Sequence, residues 1–128
     1  MANWSVWIFT KESGRCPFDK WRASNAVTAR DEAALDAKVS TVENWSGAQL
    51  PPETLKDYQG TQLKELKVKG DKKQIRPLCI VDNVKKIVIL CGSIEKDWVI
   101  PDGDIETAEN LRKEFLSGKG SIRPYFED

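Results

Sequence analysis

The stretch over residues 61–111 reads TQLKELKVKGDKKQIRPLCIVDNVKKIVILCGSIEKDWVIPDGDIETAENL. Its apolar residues alternate with the period of two that is typical of β-strands, and this predicts strands over residues 64–69, 74–81 and 85–91. Asp82 and Asn83 are expected to form the turn of a hairpin between the last two strands. That hairpin would carry one set of residues on one face (Arg76, Leu78, Ile80, Ile87, Ile89) and a second set on the other (Cys79, Val81, Val88, Leu90). Because both faces are apolar, we expect a central sheet with helices on one side and a partly open groove on the other.

Positive charge is concentrated in the same part of the chain. Residues 63–96 contain nine Lys or Arg and four acidic residues, so this segment carries +5 and the rest of the chain −5, although the formal net charge is zero. Clustered Lys and Arg are typical of a surface that binds the phosphates of a nucleic acid, because they release condensed counterions. The alternative is a solvated strand face whose lysines provide solubility and protect a sheet edge.

The first half of the chain predicts one strand and two helices. Alternation near the N-terminus indicates a strand over residues 3–10, and a Pro after a Gly break opens a short helix over residues 17–23. Thr28 and Asp31 have the spacing of a capping box. They are expected to start an amphipathic helix over residues 29–45.

Two further helical segments flank the predicted strands. One more helical turn is predicted over residues 52–58, and a final helix over residues 105–116 with Asp104 as its cap. With 128 residues the chain has the length of one domain. We assign this single domain to residues 1–128, with residues 119–128 as a candidate flexible tail.

The composition excludes several kinds of chemistry. The chain has no His and only three Cys, without CxxC spacing. This excludes Ser-His-Asp triads, Cys–His pairs and His-containing metal sites, so we expect no metal and no cofactor. The N-terminus lacks the pattern of a signal peptide, and no apolar run reaches the roughly 18 residues of a membrane span. A cytoplasmic protein without a membrane partner is therefore expected.

Four motifs stand in register along residues 58–112: Leu63-Lys64-Glu65-Leu66-Lys67, then Ile75-Arg76-Pro77, then Ile87-Val88-Ile89-Leu90-Cys91-Gly92 with Lys96, and then Ile100-Pro101 ahead of Asp104-Ile105. Together they resemble the RelE/HigB superfamily of bacterial and phage toxins, in particular its phage-derived HigB-like branch. The resemblance covers this segment in detail and the N-terminal half only through the order of elements.

The resemblance implies an α+β fold in which a small, antiparallel-rich, RelE-like sheet packs against two N-terminal helices, with a C-terminal helix. It also implies the toxin of a toxin–antitoxin pair, a ribosome-dependent endoribonuclease (mRNA interferase) encoded by a mobile element. The partners would be mRNA, the ribosome and a cognate antitoxin protein. Cleavage would proceed without a metal by attack of a 2′-hydroxyl on the adjacent phosphate, with Arg and Lys stabilising the developing charge.

The resemblance also identifies candidate site residues. The catalytic residues would be Lys67, Arg76 and Lys96. Because Arg76 lies between apolar positions on a predicted strand, it is expected either to pair with an acid or to face a groove. Seven further residues are candidates for RNA binding: Lys64, Lys69, Lys72, Lys73, Trp98, Arg123 and Tyr125. The alternatives are solvated charge for the lysines and a place in the core for Trp98.

Two other functions stay open on the sequence. Only one Lys follows Gly92 where the toxins often have two, and the net charge is zero where they are usually basic. Because of these departures, one alternative is a non-catalytic nucleic-acid or protein binding module of a mobile element with the same fold. The remaining possibility is a small regulatory or structural protein whose basic sheet serves a protein partner.

Overall fold

A computed structural model describes residues 2–58 and 60–126, and it confirms the predicted α+β fold class. The helices are α1 (Pro17–Arg22), α2 (Ala29–Glu43) and α3 (Asp102–Leu116). The strands are, in chain order, β1 (Ser5–Thr10), β2 (Leu55–Asp57), β3 (Lys64–Leu66), β4 (Val68–Lys69), β5 (Gln74–Ile75), β6 (Leu78–Val81), β7 (Lys86–Cys91) and β8 (Ser121–Pro124).

A six-stranded mixed sheet organises the molecule, in the order β2-β3-β6-β7-β1-β8. Neighbouring β1 and β7 are parallel, with Val6 opposite Ile87 and Ile8 opposite Ile89. The other neighbours in this sheet pair antiparallel. β4 and β5 form a separate two-stranded sheet that extends the β3–β6 hairpin. The sheet is therefore antiparallel-rich, as predicted, and its parallel pair lies between β6 and β8.

Helices cover both faces of the sheet. α1 and α2 pack on one face, where Phe18 and Leu35 join Ile89 in the core. α3 packs on the opposite face, where Leu111 joins Leu90. The prediction of an open groove opposite the first two helices is therefore wrong in this region, because the apolar stripe of α3 fills that face.

Both long helices were predicted, but only one of their caps. In α2 the capping box is present: the Thr28 amide donates to Asp31 Oδ2 (2.8 Å), and the Asp31 amide donates to Thr28 Oγ1 (3.2 Å). α3 begins earlier than predicted, with Pro101 as its N-cap. The predicted cap, Asp104, instead accepts a hydrogen bond from the Ser93 hydroxyl at 2.6 Å. Its carboxylate thus ties α3 to the end of β7.

The strands predicted over residues 64–69 and 74–81 are each interrupted. The first breaks at Lys67 and the second at Arg76 and Pro77, where the proline has no N–H to donate to a ladder. Residues 52–58 were predicted as a helical turn, but they contain β2, with Leu55 opposite Leu66 of β3. Pairing with a neighbouring strand outweighs the local helical signal there.

The faces predicted for β6 and β7 are also wrong, because the hairpin has a different register. Ile80 lies opposite Val88 and not on the face of Ile87. The connection between the strands is longer than the predicted two-residue turn, with left-handed backbone at both Asn83 (φ 62°) and Lys85 (φ 57°). Leu78, Ile80, Val88 and Leu90 therefore lie on the α3 side, and Cys79, Ile87 and Ile89 lie on the α1 and α2 side.

The C-terminal segment forms a strand that the sequence did not predict. β8 lies within the candidate tail and pairs with β1, with Ile122 opposite Phe9. The next residue, Tyr125, is 5 % exposed, and its hydroxyl donates to Asp36 Oδ1 at 2.6 Å. The chain is thus part of the sheet as far as residue 125, and the last two residues of the predicted tail lie outside the described residues.

Candidate nucleic-acid interface

Arg76 lies buried at the point where the β5–β6 strand is interrupted. Its backbone N–H donates to the Ser93 carbonyl (2.8 Å) and its carbonyl accepts from the Ser93 N–H (3.1 Å), so the chain after β7 continues the sheet here. The guanidinium donates to the carbonyls of Val68 (3.2 Å) and Ile75 (2.9 Å) and to Gln74 Oε1 (3.1 Å). Arg76 therefore holds together three stretches of backbone.

Two carboxylates flank the same guanidinium. Arg76 Nε lies 3.0 Å from Glu95 Oε1 and 3.6 Å from Glu65 Oε1. The Glu65 side chain is 5 % exposed and that of Glu95 15 %. Burial raises the pKa of Glu65 above its ordinary value, and the charge of Arg76 only partly offsets this rise. Of the two environments expected for Arg76, the structure shows pairing with acids.

The other two predicted catalytic residues have direct partners of their own. Lys67 Nζ contacts Glu53 Oε2 at 2.5 Å, and this hydrogen bond and the ammonium charge lower the pKa of Glu53. Lys96 is exposed and pairs through its backbone with Val99. Arg76 and Lys67 nevertheless share neighbours, because the charges of both act on Glu53 and Glu65. Arg76, Lys67 and Lys96 do not line the cleft described next.

A cleft of about 380 Å³ lies between the β4–β5 loop and the turn after β7. Four predicted RNA-binding residues line it together: Lys69, Lys72, Lys73 and Trp98. Lys69 and Lys72 are exposed, and within the described residues neither forms an ion pair. The two acids that also line the cleft are Glu95, which is bound to Arg76, and Asp97. The charges of the cleft that have no partner are therefore mainly positive, and we call it the basic cleft.

Asp31 connects the β4–β5 loop, which lines the cleft, to the start of α2. This carboxylate is fully buried, and besides closing the capping box it accepts from the Asp71 amide (2.7 Å) and from Lys73 Nζ (2.9 Å). Burial by itself would raise the pKa of Asp31, but the hydrogen bonds from Thr28, Lys73 and Asp71 lower it well below its ordinary value. Gly70 completes the fit, because a Cβ there would lie 2.5 Å from Asp31 Oδ1.

Trp98, which lines the cleft, lies in an unusual turn. Lys96 and Val99 exchange backbone hydrogen bonds of 2.8 Å and 3.0 Å, which closes a two-residue turn at Asp97 and Trp98. Both turn residues have left-handed backbone, with φ of 50° and 68°. Such turns normally contain Asn-Gly, since a bulky residue with positive φ is strained. The turn nevertheless presents an indole that is 89 % exposed, and strain of this kind is typical of functional sites.

The remaining predicted RNA-binding residues lie outside this cleft. Lys64 forms an ion pair with Asp57, and Arg123 forms one with Asp19. Burial raises the pKa of Tyr125, and the hydrogen bond to Asp36 raises it further. The structure therefore brings together four of the seven predicted RNA-binding residues and separates the other three from them.

Sequence reasoning missed the acids that organise this region. Asp31 was recognised only as a capping residue, and Glu53, Glu65 and Glu95 were not singled out. A signal existed for Glu65, because alternation along residues 63–66 places it on the side of Leu63, which is buried. Glu53 and Glu95 meet Lys67 and Arg76 only through tertiary structure.

The described residues contain no cluster of metal ligands, and two of the three thiols are buried. Among residues 2–58 and 60–126, no group of three or more His, Cys, Asp or Glu is arranged to hold a metal ion. Cys16, Cys79 and Cys91 are free. Burial raises the pKa of both Cys79 and Cys91 to about 12, so these two thiols stay protonated at neutral pH.

The family described as "Phage derived protein Gp49-like" matches residues 25–113, which include α2, β2 to β7 and most of α3. The chain belongs to this family. Gp49-like proteins form a RelE/HigB-like toxin family, and the matched segment contains the whole basic cleft. Comparisons with curated proteins and with solved structures give no significant match. In the part of the chain that the structure describes, none of the helices has the length and apolar character needed to cross a membrane.

Proposed function

We propose that this Gp49-like protein is the toxin of a toxin–antitoxin pair and that it binds RNA through the basic cleft. The observation that carries the proposal is the exposed Trp98, held on a strained turn beside Lys69 and Lys72. Ammonium groups bind phosphates, and an exposed indole stacks on an unpaired base. This pairing of groups fits a single strand better than a duplex, whose bases are already stacked.

The proposal includes two partners, a cognate antitoxin and the RNA target. Membership of a toxin family supports a cognate antitoxin, and we propose that the antitoxin covers the cleft with acidic residues. We also propose mRNA on the ribosome as the target, which places the protein in the cytoplasm. A more detailed assignment to the HigB-like branch is part of this proposal, and it rests on the four motifs of residues 58–112.

Cleavage of the bound RNA is a second and more demanding proposal. The 2′-oxygen would form a bond to the adjacent phosphorus, the bond to the 5′-oxygen would break, and the 2′-proton and a proton for the leaving oxygen would be exchanged with the site or solvent. Lys67, Arg76 and Lys96 would stabilise the charge on the phosphate. Arg76 would first have to exchange Glu95 for the phosphate, since its Nε donates to that carboxylate.

A non-catalytic RNA-binding module is the alternative, and one observation favours it. Arg76 is 5 % exposed and already donates to two carbonyls, one amide and one carboxylate. A guanidinium with these partners stabilises the fold without any ligand. The geometry therefore supports RNA binding more directly than it supports cleavage.

Expression of the protein in a bacterial host without an antitoxin tests the proposed function. Growth arrest by the wild type is expected, and the double variant Lys69→Ala/Lys72→Ala should relieve it. The matched control is Lys113→Ala/Lys119→Ala, which removes two exposed lysines that line neither this cleft nor the second cavity described below. Equal relief by both double variants, or no arrest by the wild type, would refute a toxin that acts through the cleft.

The variant Glu95→Gln separates cleavage from binding. The substitution weakens the contact between residue 95 and Arg76. If Arg76 takes part in catalysis, cleavage of ribosome-bound mRNA should therefore increase, as measured by mapping of 5′ ends. If neither the wild type nor Glu95→Gln produces cleavage while both bind RNA, the non-catalytic module is the correct assignment.

A further inference from the structure

A second cavity lies at the carboxyl ends of the two parallel strands. β1 and β7 are neighbours and run parallel, so Thr10 and Cys91 end at the same edge of the sheet. β1 leads into α1 on one face, and β7 leads through a loop into α3 on the other. Adjacent parallel strands whose connections leave to opposite faces open a crevice between them, and in open α/β sheets ligands bind in such a crevice.

The crevice has the size of a ligand site. Its volume is about 790 Å³, within the range of roughly 300–1,000 Å³ that is usual for small-molecule sites. It is lined by the loop after β1, by α1, by the end of β7 and by one side of α3. None of the residues that line the basic cleft lines this crevice.

One wall of the crevice is apolar and held in place. Trp21 stacks on Phe18 with ring centroids 5.7 Å apart, and it also lies directly against Gly92. A Cβ at Gly92 would lie 2.0 Å from the indole, so only glycine allows this contact. Pro17 extends this wall, and Leu111 lines the crevice from the α3 side. A planar apolar group would thus meet a surface whose shape is already set.

The rim of the crevice carries cations that the protein does not neutralise. Lys11 lies 3.8 Å from Glu114, and Asp104 accepts from Ser93. Arg15 and Lys20 are exposed, and neither forms an ion pair within the described residues. Glu114 thus lies near a cation and Asp104 is hydrogen-bonded but keeps its charge, whereas Arg15 and Lys20 are available to an anion.

We propose that this crevice binds a nucleotide. The phosphate would be bound by Arg15 and Lys20, the base would pack against Trp21 on the α1 side and Leu111 on the α3 side, and the Asn110 amide would contact polar atoms of the base. The nucleotide would be either a free mononucleotide or one nucleotide of a bound RNA strand. The proposal rests on the crevice alone and stands whether or not the basic cleft binds RNA.

Titration with adenosine and guanosine 5′-monophosphates, followed by calorimetry, tests the proposal. Saturable binding is expected for at least one of them, and binding of adenosine or inorganic phosphate alone should be weaker. Arg15→Ala/Lys20→Ala should lower the affinity by about tenfold or more, because it removes two charge-assisted contacts. The control Lys113→Ala/Lys119→Ala should leave it unchanged. The proposal would be overturned if neither the two mononucleotides nor a short single-stranded RNA bound saturably. Equal losses of affinity in both double variants would also overturn it.

Two further arms identify the contacts and the source. Trp21→Phe keeps an aromatic ring beside Gly92 and should weaken mononucleotide binding less than Trp21→Ala, with inorganic phosphate affinity the same in both. If Arg15→Ala/Lys20→Ala also weakens binding of a short single-stranded RNA, the crevice takes a nucleotide of the strand. If RNA binding is unchanged and mononucleotide binding is lost, the crevice takes the free nucleotide.

Discussion

Arg76 and Glu95 form a largely buried ion pair. Arg76 Nε donates to Glu95 Oε1 at 3.0 Å, and the two side chains are 6 % and 15 % exposed. The pair joins the break between β5 and β6 to the segment after β7. The same contact therefore stabilises the extension of the sheet and takes up the guanidinium that cleavage would need. The structural role of Arg76 and the catalytic role proposed for it therefore depend on the same contact.

Arg76→Ala should lower the free energy of unfolding by about 3–5 kcal/mol, because it leaves buried carboxylates without their partner. Urea unfolding at neutral pH measures this change. A variant within about 1 kcal/mol of the wild type would show that the guanidinium is not a structural element.

Glu65→Gln should be far milder and is the control for that experiment. Burial raises the pKa of Glu65 in the folded protein, so the folded state binds the proton more tightly than the unfolded state does. Stability associated with Glu65 therefore falls as pH rises through that folded pKa. A neutral Gln removes this penalty, and the variant should show a flatter stability profile above the ordinary carboxyl pKa of about 4. A steeper profile would contradict the assignment.

Asp31→Asn should produce the opposite pH signature. The folded pKa of Asp31 lies below its ordinary value of about 3.9, so its stabilisation is present above that value and is lost as the pH falls below it. The variant should be less stable at neutral pH by about 1–3 kcal/mol, since Lys73 loses its partner and one cap contact weakens. The difference from the wild type should shrink below pH 4, which urea unfolding at several pH values can follow. A difference that stays constant with pH would show that the carboxylate charge is not involved.

Trp98→Gly should raise stability while weakening RNA binding. Glycine relieves the positive φ at this position, which is worth about 1 kcal/mol, and it removes an indole that contributes little to the core because it is 89 % exposed. Loss of one stacking contact should lower RNA affinity by roughly tenfold. Thermal unfolding and RNA titration of the same sample test both parts. Unchanged RNA affinity would remove Trp98 from the interface.

The sequence predicted the elements whose signals are local. Alternating apolar residues revealed β1, the apolar run of residues 87–91 revealed β7, and the spacing of Thr28 and Asp31 revealed the start of α2. β8 was missed because its neighbours are two glycines and a short polar segment, and its pairing with β1 is decided more than a hundred residues away along the chain.

The site was predicted in part for the same reason. Lys69, Lys72 and Lys73 are close in sequence, so their grouping follows from one hairpin. Trp98 joins them only because residues 93–95 pair with residues 74–76. The burial of Arg76 between Glu65 and Glu95 depends on that same long-range pairing, which periodicity cannot reveal.

Equilibrium binding of a short single-stranded RNA across a salt series tests the central claim, that the cleft around Lys69, Lys72 and Trp98 binds RNA. The slope of log affinity against log salt concentration should fall in magnitude by about 0.7 for each phosphate contact removed. Lys69→Ala/Lys72→Ala should therefore show a clearly shallower slope than the wild type, and Lys113→Ala/Lys119→Ala should keep the wild-type slope. Identical slopes for the two double variants, or no measurable binding by the wild type at low salt, would contradict the account.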